Sequence, residues 1–195
     1  MYVRDAKNRD EAWLLHHIEE MGLDAAAFRS RDYVIAVDEE TDDRVGFGRI
    51  RIHKNDPELC ELTGIGVLES WRGQGVGAHV IERLIEKAGD DGFDTVYTLT
   101  DQPNYLERFG FDRIDDEALP DRLQDRLAEK RENVSEEVVG LELATDEFEM
   151  PAYLREAFKE AEGKRPEEQE QEPEESPEDF GIDPEEASYK YDTGS

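Results

Sequence analysis

The chain has 195 residues, room for one ordinary domain and an appendage, and carries 52 acidic against 23 basic side chains, a net charge of -29. A charge of that sign and size argues against nucleic acid or an anionic membrane surface as partner, since both would be repelled. The single cysteine, Cys60, excludes an intramolecular disulfide, and there is no run of about eighteen apolar residues to cross a bilayer.

In chain order, Tyr2 to Arg4 reads as a short first strand, and Asp10 as the N-cap of a helix that runs to Met21 and ends at Gly22. Tyr33–Val37 is a strand joined by the turn Asp38 to Asp43 to a hairpin partner, Arg44–Ile52. A polar loop at Asn55-Asp56-Pro57 leads to a strand at Glu61–Val67, in which Gly64 and Gly66 share a face and suit a bulge or a close ligand approach. Cys60, just before it, reads as a small buried hydrophobe. A glycine-rich turn follows, then an amphipathic helix to about Ala88. Val80, Ile81, Leu84, Ile85 and Ala88 form its apolar face, with His79, Glu82, Arg83, Glu86 and Lys87 opposite. Thr95–Leu99 is a buried strand, Pro103 to Arg108 a short helix, Phe111–Ile114 a strand, Leu119–Lys130 a helix, and Val138–Leu143 the closing strand. Met150–Ala161 is a short helix that packs on the domain or on a partner.

From Gly163 onward there are twelve acids and three bases, net -9, so about -20 remains on the body. This Pro- and Glu-rich stretch reads as a disordered tail over 163–195, with Phe180 and Tyr189-Lys190-Tyr191 as a docking element for a partner. Lysine supplies only seven of the bases and arginine sixteen. An acidic, lysine-poor body resembles salt-adapted, haloarchaeal-like proteins, whose charge is screened in a cytoplasm of very high salt. An acidic face for a basic partner is the alternative. The one cysteine and the lack of a signal pattern at Met1–Asp5 predict a reducing, cytoplasmic setting and a soluble chain, a homodimer being allowed.

The order of elements, an antiparallel meander and then a crossover around the glycine turn, predicts a mixed α/β fold with a mostly antiparallel sheet flanked by helices. The turn Arg72-Gly73-Gln74-Gly75-Val76-Gly77-Ala78 leaves backbone N–H groups free at the positive end of a helix dipole, a site for phosphate or pyrophosphate. A Walker loop would end in Lys-Ser or Lys-Thr, and a dinucleotide fold would space its glycines Gly-x-Gly-x-x-Gly; neither pattern is present.

Arg72, Gly75 and Gly77 fill a pattern that resembles the acyl-CoA loop of the GCN5-related N-acetyltransferase (GNAT) superfamily. Some thirty residues on, Tyr105-Leu106-Glu107-Arg108-Phe109-Gly110-Phe111 resembles a second motif of the same family. The resemblance covers about residues 1–145 and leaves 146–162 as a C-terminal helix. It implies the GNAT fold and an acetyl-CoA-dependent N-acetyltransferase without a metal. The cosubstrate would wedge between the parallel strands at Glu61–Val67 and Thr95–Leu99. Its pyrophosphate would rest on Arg72, Gly73, Gln74, Gly75, Val76, Gly77 and Ala78, and its pantetheine on Ile65, Gly66 and Val67, with Asn104 as a further contact. The oxyanion donor would be a backbone N–H near Val67.

By the same resemblance Glu61 is the candidate general base, against the alternative of a solvated strand-end carboxylate. The family's tyrosine acid falls at Leu106, and Tyr105 lies one residue earlier, rotated by about 100° on a helix; Tyr105 is therefore either the thiolate's proton donor or a core aromatic. His16 and His17, adjacent on a helix, should point apart rather than form a metal site. The acceptor is expected to be a small-molecule amine such as an amino acid, or else a peptide, a protein N-terminus or a protein lysine. Glu61-Leu62, Ile65-Gly66-Val67 and Leu119-Pro120 resemble the amino-acid branch, for which Arg4, Arg49, Arg51 and His53 are candidates to hold a carboxylate. A non-catalytic acyl-CoA-binding module, and a scaffold with a purely structural glycine loop, are the competing classes.

Overall fold

The structure is a computed structural model that describes residues 1–163; the expectations for the acidic tail beyond them, including its docking aromatics, lie outside the described residues. Seven strands form one sheet: β1 (Tyr2–Asp5), β2 (Tyr33–Val37), β3 (Arg44–His53), β4 (Leu59–Val67), β5 (Thr95–Thr100), β6 (Asp112–Ile114) and β7 (Val139–Ala144), in the order β1-β2-β3-β4-β5-β7-β6. Five helices flank it: α1 (Glu11–Glu20), α2 (Val76–Asp90), α3 (Pro103–Glu107), α4 (Asp121–Asn133) and α5 (Ala152–Lys159). Every neighbouring pair is antiparallel except β4 and β5. The predicted elements are all present, most of them displaced by one to three residues at an end.

One face of the sheet carries α2 and α5. Val80, Ile81, Leu84, Ile85 and Ala88 bury the predicted stripe of α2 against Val34, Ile50, Leu62 and Val96. Fully burying an aliphatic side chain of this size contributes about 1.5–3 kcal/mol, so this helix anchors the domain. The other face carries α1, through Leu14 and Ile18 against Ile35 and Phe47, and α4, through Leu123 and Leu127 against Leu59 and Leu99. Of the two expectations for α5, it packs on the domain: Leu154 and Phe158 belong to the main core, and Met1–Glu162 form one compact unit.

Asp10 stands at the N-cap position of α1 as expected, but its side chain does not bond the first turn of the helix. It ends a 3-10 turn at Asn8–Asp10, and its buried carboxylate accepts from the Lys7 N–H at 2.7 Å and from Arg4 at 2.8 and 3.1 Å while pairing with Arg44 at 2.9 Å. These donors hold its pKa down at about 2.

Two departures from regular pairing make the centre of the sheet. Residue Gly64 has φ +62°, and the register on β3 jumps between Phe47 and Arg49 there, a bulge that a side chain would strain. An added Cβ on Gly64 would lie nearest Arg49 Cβ at 3.9 Å, on the face of β3 that Arg49 shares with Phe47. At Gly66 an added Cβ would lie 2.5 Å from the Phe47 ring and 2.7 Å from Met21 Sδ, so neighbouring side chains use the space there. The second departure is that β4 and β5 pair only at Glu61↔Tyr97 and Leu62↔Thr98 and then part.

Candidate active site

The parting of β4 and β5 opens a cavity of about 320 Å³ lined by Thr63, Ile65, Thr98, Thr100, Tyr105 and Lys130, among others. Beyond Leu62 the edge of β4 has no strand partner on this side, so its main-chain groups are available to a ligand that pairs like an added strand. A larger depression of about 610 Å³, lined by Ile65, Gly66, Val67, Leu68, Glu69 and Arg72, among others, continues from the end of β4 toward the glycine turn.

In that turn Gly73 has φ +72° with open space where a Cβ would stand, and Gly75 has φ +77°. The N–H groups from Gly73 to Gly75 meet no carbonyl among the described residues. The first three of α2, at Val76, Gly77 and Ala78, have no carbonyl one turn earlier in the helix. Six consecutive donors at a helix N-terminus suit a pyrophosphate. Val76 and Ala78 turn their side chains into the core, and an added Cβ on Gly77 would lie 3.4 Å from the Tyr105 hydroxyl.

The loop is also held from outside, which sequence reasoning missed. The Gln74 amide donates to the Glu162 carbonyl at 2.8 Å and accepts from its N–H at 3.0 Å. An added Cβ on Gly75 would stand 2.4 Å from the Leu154 carbonyl. Expected on the polar face of α2, His79 is instead buried under α5, stacked on Phe158 at 3.8 Å with Nδ1 on the Gly75 carbonyl at 2.8 Å. Arg72 is turned back on β4, where its Nε donates to the Val67 carbonyl at 3.1 Å.

Tyr105 and Leu106 both line the wedge, Leu106 buried and Tyr105 partly so, and the tyrosine, one position early, still borders the ligand space. Burial pushes the Tyr105 pKa up, keeping the hydroxyl protonated. Asn104 is exposed and accepts from Arg113 at 2.9 Å, so it does not line the wedge.

Glu61 is not the exposed carboxylate a general base would be. It is fully buried, Arg126 donates to both its oxygens at 2.7 and 3.0 Å, and His53 Nε2 lies 2.8 Å away. Burial opposes its charge, but the hydrogen bonds from His53 and Arg126 outweigh that and leave its pKa at about 2. A carboxylate so held has little affinity for an ammonium proton. The signal for this was on α4: Arg126 falls inside the stripe Leu123–Leu127, and an arginine in an apolar stripe needs a buried anion. Of the proposed carboxylate holders, Arg4 is spent on Asp10, Arg49 on the carbonyls of Ala26 and Ala27 at 2.9 Å each, and His53 on Glu61; Arg51 alone has no close partner among the described residues, with Asp24 at 3.9 Å.

His16 and His17 do not point apart as expected: with Glu20 they bring ligand atoms within 4.8 Å of one another on the exposed side of α1. Cys60 is fully buried and its thiol pushed up to about 12 by desolvation.

The family model described as Acetyltransferase (GNAT) family matches residues 3–111, more than half of the chain. The chain belongs to the GNAT acetyltransferase family. The fold agrees, since Rv2747 of Mycobacterium tuberculosis, solved in complex with CoA, superposes with a TM-score of 0.59 at 18% identity over 74% of this chain and 99% of that one. The N-acetylglutamate synthase of Neisseria gonorrhoeae, complexed with coenzyme A and N-acetyl-glutamate, gives 0.58 at 17% identity over 73% of this GNAT chain and 34% of the synthase. A curated relative, an uncharacterized N-acetyltransferase of Chlorobaculum tepidum, is 27% identical over 66 residues, 34% of this chain and 43% of its own. The GNAT chain thus matches less than half the length of that relative and about a third of the synthase.

Proposed function

We propose that this GNAT chain moves an acetyl group from acetyl-CoA to a primary amine of a small molecule. The observation that carries the reading is the parting of β4 and β5 beside a turn whose six N–H groups are unpaired among the described residues. Bound there, acetyl-CoA supplies an activated thioester. The turn from Gly73 to Ala78 holds the pyrophosphate, Arg72 adds charge once released from Val67, and the free edge at Ile65–Val67 aligns the pantetheine amides. A β4 N–H near Val67 stabilises the carbonyl oxygen as negative charge develops on it.

The amine attacks only when unprotonated. With Glu61 committed to Arg126, the proton leaves to water before attack, so the neutral fraction of the amine sets the rate. As the C–N bond forms and the C–S bond breaks, the Tyr105 hydroxyl gives its proton to the departing sulfur, and the proton that the attacking nitrogen sheds as it becomes an amide passes through water to restore the hydroxyl. A thiol with pKa near about 8.5 is already a tolerable leaving group, so this step assists rather than decides. The excess of acidic side chains supports a salt-adapted, cytoplasmic protein, and the assay belongs in molar potassium chloride.

The test is thiol release from acetyl-CoA against amino acids, polyamines and short peptides; Cys60, buried as it is, adds no background. Acceptor-dependent release is expected. Saturable acetyl-CoA binding with no release for any acceptor would overturn the transferase in favour of a binding module.

A further inference from the structure

A cavity of about 500 Å³ on the α4 face of the sheet contradicts the charge of the chain around it. Arg29, Arg49, Arg51, His53, Lys54 and Arg122 line it, and no carboxylate does, in a sequence with more than twice as many acids as bases. Gathering like charges in a concave, partly desolvated place is unfavourable unless an anion offsets it, and such a cleft focuses positive potential.

Most of these basic side chains already have partners. Arg49 holds Ala26 and Ala27, His53 holds Glu61, Arg29 reaches Asp32 at 3.2 Å, and Lys54 reaches Glu58 at 2.9 Å. Two do not. Among the described residues Arg51 has only Asp24, at 3.9 Å, beyond hydrogen-bond length, and burial together with the charges of Arg126 and Arg49 pushes its pKa down. The ion pairs of α4 are those of Arg126 and Arg131, and Arg122 makes none among the described residues.

The cavity shares its walls with the wedge. Leu23 lines the wedge and Ala27 to Arg29 line the cavity, so one loop borders both; on α4, Arg122 lines the cavity and Lys130 the wedge. Arg51 stands opposite Glu61 in the ladder, and Thr63, at the wedge, lies two residues further along β4, about 7 Å away at about 3.4 Å per residue. That is a span a small molecule bridges.

We propose that this cavity holds the anionic group of the acceptor, so that the substrate class is a small amine bearing a carboxylate or phosphate, bound by Arg51 and Arg122. The proposal rests on the reading that the wedge transfers acetyl to an amine. Guanidinium forks suit either oxyanion, because each presents two parallel N–H donors.

The experiment measures thiol release with matched acceptors: glutamate, 4-aminobutyrate, 3-aminopropylphosphonate, the neutral 4-aminobutanamide and the diamine putrescine. The expected result is a kcat/KM at least tenfold higher for the anionic amines, and the better of carboxylate and phosphonate names the group. Arg51→Gln and Arg122→Gln should each raise the KM of the anionic acceptor tenfold or more, with kcat and the KM of acetyl-CoA kept. Arg83→Gln, the same charge change where Arg83 meets Asp5 at 3.0 Å, should leave the acceptor KM unchanged. Equal use of the amide or diamine, or no effect of either arginine variant, would overturn the proposal while leaving the transferase in place. Calorimetry with glutarate alone separates the reverse case: binding that Arg51→Gln abolishes, without thiol release for any amine, keeps the cavity's role and removes the transferase.

Discussion

Arg126 reaches from α4 to hold both carboxylate oxygens of Glu61 on β4, at 2.7 and 3.0 Å, in a place neither side chain shares with bulk water. The pair ties α4 to the middle of the sheet and fixes β4 one residue before it parts from β5. Breaking one side of a buried ion pair leaves the other charge unsolvated, at a cost of about 3–5 kcal/mol. Glu61→Gln should therefore lower stability in urea by about that amount. The double variant Glu61→Gln with Arg126→Met should recover much of it, since the stranded charge is gone. A Glu61→Gln protein with native stability and a selective loss of kcat would return Glu61 to the role of base.

Acid should find the same pair. Glu61 and Asp10 both have pKa values depressed to about 2 by their hydrogen-bonded arginines. A depressed folded pKa means that the unfolded chain binds more protons as pH falls, so stability present above the ordinary carboxylate range is lost from about pH 4.5 down to about 2. Denaturant midpoints across that window should fall steeply in the native chain and less steeply in the Glu61→Gln, Arg126→Met double variant. Equal slopes would mean that Asp10 alone carries the loss.

The phosphate role of the turn is best tested at Gly73, because Gly75 is not a clean position. A side chain at 75 meets the Leu154 carbonyl and would dislodge α5, whereas 73 faces open space. Gly73→Asp and Gly73→Asn pay the same backbone strain at φ +72°, one Asx tolerates, and differ by one charge. Acetyl-CoA affinity should drop at least tenfold in the Asp variant and stay within about threefold in the Asn variant. Matching affinities for the two would remove the pyrophosphate from this turn.

For Tyr105, the hydroxyl is the whole question. Tyr105→Phe keeps the ring that sits edge-on to Phe109 at 5.3 Å, so folding should survive. The kcat should fall about tenfold, with the loss largest at high pH, where solvent is the poorest alternative donor to sulfur. An unchanged kcat would leave Tyr105 as a wall of the wedge.

The sheet was legible in the sequence because each strand and helix announces itself locally. Tyr33–Val37 is uniformly apolar and buried, α2 has its stripe at helical spacing, and the glycine turn lies between a strand and that helix. The acyl-CoA turn was legible for the same reason. What stayed hidden was contact between distant segments. Nothing near Glu61 shows that Arg126, sixty-five residues later, would claim it, and nothing near Gln74 points to Glu162. Helical phase misassigned His79: its place opposite the apolar stripe predicts solvent, and only the return of α5 over that face buries it. Likewise Arg49 and Arg51 are equivalent in a strand pattern, and the loop carbonyls that consume the first and spare the second appear only in the fold.

The return of α5 carries the last prediction. Phe158 stacks on His79, with Nδ1 of the imidazole donating to the Gly75 carbonyl and Nε2 buried without a partner among the described residues. Burial pushes the His79 pKa down, so the docked helix favours the neutral ring. Stability from this contact is therefore complete above the ordinary histidine range near pH 6.5 and is lost as pH falls below it toward the depressed folded value. Truncating a buried phenylalanine costs about 3–5 kcal/mol, but α5 lies outside the sheet as the last helix among the described residues, and its release need not unfold the sheet. Hydrogen exchange should show α5 and the Gln74 side-chain clasp losing protection in Phe158→Ala while β2 to β5 keep theirs. In the native chain the same loss should grow between pH 7 and pH 5, and His79→Gln should flatten that dependence. Protection of α5 that is constant over this range would mean that His79 stays neutral throughout and contributes packing alone.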